Sequence, residues 1–336
     1  MRNYFYDIYG RIKNLARPVQ LRNKSEKTKA LFAVGVVSFF WGTTWLASKK
    51  GVEQMPALQL SGIRQLLAGL IYIIFFTIKG YKLPSRQLFF QLLWMSILMF
   101  VINNGFSTWS VEYLPSGLGA VISSISPIWI AIFSVFLFKE AKLNLMTVVG
   151  LVLGFAGILI IFYDYLQQLF NPEFIRGILL GLGATMTWAL GTLYTAQQSK
   201  SVNPYYSLGW QMFLGGIQLT ILAYLTGQHI PIRNINWEAW TAISYLVVIG
   251  SIITFAAFIY SLKRLPVSQV SVHAYINPIV AVIVGSILNH EKLNGTIALG
   301  TLVTILGVYL VNTGFRRVKI SKEIRSNVPV DDLAKE

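Results

Sequence analysis

The stretch Leu114–Gly157, LPSGLGAVISSISPIWIAIFSVFLFKEAKLNLMTVVGLVLGFAG, has a second copy further along the chain. Leu114-Pro115 is followed by Pro127, Glu140, Gly150 and Gly157. Leu265-Pro266, Pro278, Glu291, Gly300 and Gly307 repeat that order. Proline to proline is 12 residues in both copies, and proline to glutamate is 13. Glutamate to glycine is 10 in one copy and 9 in the other, and the last glycine step is 7 in both. Matched steps with a single slip mark an internal repeat.

Around this repeat the chain is apolar. Of 336 residues, 54% are hydrophobic and 12% charged, about half the charge of a soluble domain. The net charge of +15 sits at the ends of apolar runs. It reads as membrane topology and not as a nucleic-acid surface. The absence of cysteine excludes disulfides, zinc–thiolate sites and cysteine nucleophiles. No cleavable signal peptide is evident. Residues 1–29 are polar and basic, with Phe5, Ile8, Tyr9 and Ile12 at helical spacing; they read as a membrane-surface helix or a disordered tail.

A membrane helix needs about 20 apolar residues. Ten such runs fit, at about 30–49, 57–78, 88–111, 116–138, 144–163, 176–197, 204–226, 238–262, 267–289 and 294–314. With no water in the hydrocarbon to satisfy the backbone, helices are the required form. A cytoplasmic N-terminus places 22 of the 28 Lys and Arg inside, leaves five outside, and leaves Arg64 within a run. Both termini are therefore expected in the cytoplasm of a multi-pass protein of the bacterial inner membrane. The expected fold is all-α integral membrane, with ten transmembrane helices as two inverted five-helix repeats. Residues 1–29 form a cytoplasmic basic segment, 30–163 the first repeat, 176–314 the second, and 315–336 a cytoplasmic tail. Trp41 matches Trp188, and Pro56 matches Pro204. Glu112-Tyr113 before one Leu-Pro corner stands where Lys263-Arg264 precedes the other, the charge reversal expected of opposite membrane faces.

The candidate site gathers polar and helix-breaking residues inside these runs. Pro127 and Pro278 each remove a backbone bond and obstruct the carbonyl four residues back, at Ser123 and Ala274. Ser123, Ser124 and Ser126 cluster at one; His273, Tyr275 and Asn277 at the other. Such paired interruptions in two inverted halves point to a transporter's site, or else to kinks needed for packing. Asn103, Asn104 and Trp109, with Thr254 and Tyr260 at matching places, face protein or water. Trp41 and Trp188 form aromatic walls for an organic solute, or pack conventionally. Arg64 lies about 10 Å beyond the outer end of its helix. It snorkels or pairs with Glu53 or Glu112, or it binds a carboxylate. Glu140 and Glu291 read as helix-end capping residues. His273 is the lone intramembrane group that titrates near neutrality. The glycines of the repeat read as close-packing positions.

These residues resemble the EamA-type members of the drug/metabolite transporter superfamily over roughly residues 30–314. The likeness rests on Phe40-Trp41-Gly42-Thr43-Thr44, Pro56, Arg64, Pro127, Lys139-Glu140, Gly150 and Gly157. The second copy adds Trp188, Pro204, Asn277-Pro278, Glu291, Gly300 and Gly307. The resemblance implies a ten-helix inverted-repeat carrier of small organic metabolites, such as amino acids or drugs, often an exporter, with a central cavity between the halves. Its partners are then the solute and the lipid bilayer; a homodimer is left open. No catalytic residue, metal or cofactor is expected. A channel would instead need a continuous polar pore, and an intramembrane enzyme a nucleophile–base or metal constellation that this chain does not spell out.

Overall fold

The computed structural model describes residues 24–136, 144–163, 165, 167–198, 202–265, 270, 273–291 and 294–327. Among the described residues all regular structure is helical. Helix α1 spans Lys24–Val52 and α2 Ala57–Ile78. α3 runs as two α-helical arms, Arg86–Ser96 and Phe106–Tyr113, joined by a π-helical centre, Ile97–Gly105. α4 has two arms, Ser116–Ser123 and Ser126–Phe136. Then follow α5 (Leu145–Tyr163), α6 (Pro172–Gln198) and α7 (Pro204–Leu225). α8 joins Trp237–Tyr245 to Thr254–Leu262 through a second π-helical centre, Leu246–Ile253. α9 is His273–Asn289 and α10 Gly295–Asn327.

Six of these helices, α1, α2, α3, α6, α7 and α8, are long and apolar enough to cross a membrane. Shorter apolar helices accompany them at Ser116–Ile130, Leu145–Ile161, Ile276–Asn289 and Gly295–Val311. α1 begins at Lys24, inside the stretch expected as a tail. Lys and Glu are good helix formers, and Lys29 pairs with Glu26 at 3.2 Å. α10 likewise continues past 314 to Asn327. The amphipathic stretch around Phe5–Ile12 and Glu140 lie outside the described residues.

Two seams join the repeats. At α5–α10 the backbones nearly touch. A Cβ on Gly157 would sit 2.7 Å from the Gly300 carbonyl, and one on Gly307 the same distance from that of Gly150. Small residues allow this approach, and dispersion between closely packed backbones holds it. At α2–α7, a Cβ on Gly69 would fall 2.6 Å from Phe213 Cα, and one on Gly216 2.6 Å from Leu66 Cα. The first helix of each half crosses to the other: α1 packs on α8 and α9, while α6 packs on α3 and both arms of α4. The largest core cluster lies among α2, α3, α7 and α8, with Leu60, Phe100, Met212, Ile243 and Leu246 almost fully enclosed. Outward faces are apolar. Val148, Val152, Phe155 and Leu159 on α5, and Leu299, Leu302, Leu306 and Tyr309 on α10, are exposed at helical spacing. Such continuous stripes suit hydrocarbon and not water.

Candidate functional site

The two π-helical centres occupy overlapping places in the repeats. Asn103 and Thr254 stand 151 residues apart. That register carries 97–105 onto 248–256, over the second π centre. Weak helix formers sit in both, Asn103-Asn104-Gly105 in one and Gly250-Ser251 in the other. Wide turns expose backbone carbonyls, which need partners where water is absent. In α8 three carbonyls find side-chain donors. Thr254 Oγ1 donates to Ile249 O at 2.6 Å, Trp41 Nε1 to Gly250 O at 3.3 Å, and Tyr72 Oη to Ile252 O at 3.1 Å. Arg64 Nε donates to Ser251 Oγ at 3.0 Å. Helices α1 and α2 are thus bonded to the interrupted turn of α8.

The centre of α3 is held through side chains. Asn104 Oδ1 accepts from Ser61 Oγ at 3.0 Å and from Gln65 Nε2 at 2.9 Å. Just before the π turns, Ser96 Oγ accepts from Gln218 Nε2 at 2.9 Å. Asn103 is half-buried, and its amide has no hydrogen-bond partner among the described residues.

Trp41 is the hub of an aromatic cluster. Its ring centroid lies 6.0 Å from Trp188, 5.0 Å from Phe255, 5.1 Å from Phe258 and 5.3 Å from His273. Trp41 and Trp188 therefore meet edge-on and pack against each other. His273 joins the cluster, with Nδ1 2.8 Å from the Val270 carbonyl.

Other expected site residues fall differently. α4 breaks at Ser124-Ile125, so Pro127 is the second residue of a new arm and not a mid-helix residue. The Ser123 carbonyl, expected to lack a partner, accepts from Ser126 Oγ at 2.5 Å, and Ser123 Oγ bonds back to Ala120 O at 2.7 Å. Pro278 instead sits inside the continuous α9. Asn277 is 9% exposed, its Oδ1 is buried without a partner, and its carbonyl faces Gly42 of α1. Trp109 lies apart, against Leu58, Leu219 and Ala223, its indole N–H buried without a partner. Tyr260 is at the far end of α8, where Arg264 stacks 3.6 Å above its ring and bonds Glu26 at 3.1 Å. Arg64 pairs with neither Glu53 nor Glu112. Glu53 faces Lys50 at 3.4 Å, and Glu112 Oε2 is buried without a partner.

Glu291 is a capping residue, but of a helix in the other repeat. Pro115 begins α4 and has no side-chain acceptor to offer. Glu291 Oε1 accepts from Ser116 N at 2.8 Å and Ser116 Oγ at 2.7 Å, and Oε2 from Gly117 N at 3.0 Å. These amides are among those that a helix start leaves unpaired. The chain reverses through His290 at φ 51°, a left-handed position usually given to glycine.

The repeat register exposes a substitution pattern. In the first half Met99 fills the space beside Gly191, where an added Cβ would meet its Cγ at 2.9 Å. Under the same registers the equivalent pair is Gly250 and Thr44, and there a Cβ on Gly250 would meet Thr44 Cγ2 at 3.0 Å. Large and small residues have changed sides. Likewise Arg64 matches Met212, and Ser251 matches Phe100. Met212 and Phe100 lie in one apolar cluster, where Arg64 and Ser251 share a hydrogen bond. Sequence reasoning missed Ser61, Gln65, Tyr72, Gly250 and Ser251. Writing the two copies of the third run in register would have singled out Gly250-Ser251 opposite Met99-Phe100.

An all-helical chain with lipid-suited outer faces and hydrogen-bonded polar groups inside is a multi-pass membrane protein. A solved crystal structure shares the fold, with a TM-score of 0.62 at 16% identity over 87% of this chain and 99% of that one. The EamA-like transporter family matches residues 28–163 and 175–313. The chain belongs to that family and is a membrane transporter of small solutes. It is similar to the uncharacterized inner membrane transporter YedA of Escherichia coli strain K12, 30% identical over 85% of this chain and 90% of that protein. It is also similar to the uncharacterized transporter YvbV of Bacillus subtilis strain 168, 27% identical over 85% and 92%.

Proposed function

We propose that this protein is a carrier of small organic metabolites in a bacterial inner membrane. It works by alternating access between two inverted five-helix halves, with ten membrane helices and both termini in the cytoplasm. The paired π-helical centres of α3 and α8 carry this reading, because matched interruptions in two inverted halves are where transporters place their solute. The crossing of α1 and α6 into the opposite halves supports a rocking motion, since each half then holds a helix of the other. The aromatic hub at Trp41 offers an apolar surface beside the polar turn of α8, which suits a solute with both characters. Lys and Arg placement supports the orientation, the named inner membrane relative supports the location, and the family resemblance supports export.

The test is counterflow in proteoliposomes across a metabolite panel, with and without a pH gradient. Saturable exchange of unlabelled for labelled solute is expected. Ohmic single-channel currents would replace the carrier with a pore.

A further inference from the structure

Arg64 is 5% exposed, within the apolar span of α2. A charged side chain at that depth is costly and is normally paired or functional. Here it is not ion-paired: no carboxylate among the described residues lies within 4.0 Å of the guanidinium. A guanidinium carries five N–H donors. One of them is bonded, from Nε to Ser251 Oγ, and it is the sole hydrogen bond of this side chain among the described residues. The nearby π-turn carbonyls do not serve the others: Ile249, Gly250 and Ile252 accept from Thr254, Trp41 and Tyr72 and not from Arg64. The end of the guanidinium lies over Gly250, where an added Cβ would fall 3.0 Å from its Nη2.

The other half shows that the scaffold does not require this charge. Met212 stands in the place of Arg64, fully buried, and Phe100 in the place of Ser251. An apolar pair closes the equivalent position. The charge is therefore an addition to one half, and it leaves donors free beside Gly250, whose carbonyl accepts from Trp41.

We propose that Arg64 anchors a carboxylate of the carried solute, with Gly250 leaving room for the guanidinium and Trp41 flanking the solute's apolar part. The solute class is a small organic monocarboxylate. Arg is suited to this because its planar fork offers two parallel donors to a carboxylate. The assignment rests on the carrier reading given above, but its test does not require transport.

Purified protein in detergent is titrated with phenylacetate and butyrate, with their neutral isosteres phenylacetamide and butyramide, and with chloride and phosphate. Thermal midpoint and tryptophan fluorescence are followed. Both acids are expected to raise the midpoint, and their amides to leave it unchanged. Arg64→Met, which copies the other half, and Gly250→Ala, which crowds the guanidinium, are expected to abolish the difference. Arg64→Lys keeps the charge without the fork and is expected to hold the acid preference about tenfold more weakly. It decides the matter if Arg64→Met is not recovered folded. Equal responses to acid and amide in the native protein, or an acid preference that survives these variants, would overturn the proposal. So would an equal shift with chloride or phosphate, which would make the site one for inorganic anions. Absent counterflow with an intact acid preference would sink the carrier reading alone; counterflow without that preference would sink the carboxylate site alone.

Discussion

The π-helical centres of α3 and α8 are matched in sequence place and opposite in content. At α8, side chains from α1 and α2 reach in to bond the backbone carbonyls. At α3, Phe100 and Met99 fill the space, and the polar contact is moved to the Asn104 side chain. Phe255 stands in Asn104's place in the second copy and packs on Trp41. One architecture thus supports a polar turn with an aromatic neighbour in one half and a packed turn with an amide network in the other. In this pair of helices repetition sets where the turns widen, while side-chain identity sets what each wide turn does.

The strongest way to break this comparison is at the aromatic hub. Trp41→Ala removes the ring packed on Trp188, Phe255, Phe258 and His273 and also the donor to the Gly250 carbonyl. A loss of about 3–5 kcal/mol is expected. Trp188→Ala leaves that carbonyl bonded and should fall at the lower end of the same scale, about 3 kcal/mol. Thermal unfolding in one detergent measures both. Equal losses would mean that the two halves are supported alike.

Asn104→Ala comes next. It leaves the Ser61 hydroxyl and the Gln65 amide without their acceptor, and Gln65 is fully enclosed. A buried donor left unpaired costs about 1–3 kcal/mol, so about 2–3 kcal/mol is expected for the pair. Gln65→Leu in the same background should recover part of it, because removing both partners is cheaper than removing one. No recovery in the double variant would show that the network is incidental to α3.

Much of this could be read from the chain. Pro56 and Pro204 mark the starts of α2 and α7, and the glycines of the repeat lie at the α5–α10 seam because only a hydrogen fits between backbones there. Trp41 and Trp188 could be matched by their places in the repeat, but the contact between their rings could not be read there. The π centres did not, since an apolar run has the same hydropathy whether its turns bond four or five residues back. The break in α4 also fell earlier than its proline. Pro127 lacks an N–H and is tolerated in a first turn, and the helix closes at Ser123 before Ser126 opens the next arm. The partner of Glu291 was out of reach for a different reason. Its charge announced a helix end, but which helix depends on how two repeats dock.

A milder comparison separates local from long-range bonding. Tyr72 Oη crosses from α2 to the Ile252 carbonyl, whereas Thr220, its counterpart 148 residues on, bonds the Gly216 carbonyl of its own helix at 2.8 Å. Tyr72→Phe should cost about 1–2 kcal/mol, by leaving a freed carbonyl dry. Removing the Thr220 hydroxyl by Thr220→Val should change stability by less than about 0.5 kcal/mol, since helix hydroxyls that bond back four residues contribute little. A reversed order would mean that the α8 carbonyl is satisfied in some other way.

A loss no larger than that of Tyr72→Phe is expected at the corner that holds α4. Glu291→Gln keeps the shape of the carboxylate but loses its charge, and an amide nitrogen replaces one acceptor oxygen. Ser116 and Gly117 each donate a backbone N–H to the native group. Placing a negative charge at a helix start is worth about 0.3–1 kcal/mol, so a loss of about 1 kcal/mol is expected, read as a fall in thermal midpoint. The corner also bears on the comparison between the halves. Pro115 cannot cap α4 itself, so the second repeat supplies the acceptor. In sequence Glu140 matches Glu291, and that match predicts an equal loss for Glu140→Gln. Equal losses would make the corners a true pair, unlike the π centres. A loss confined to Glu291 would extend to the corners the rule seen inside, that one scaffold is drawn twice and equipped differently each time.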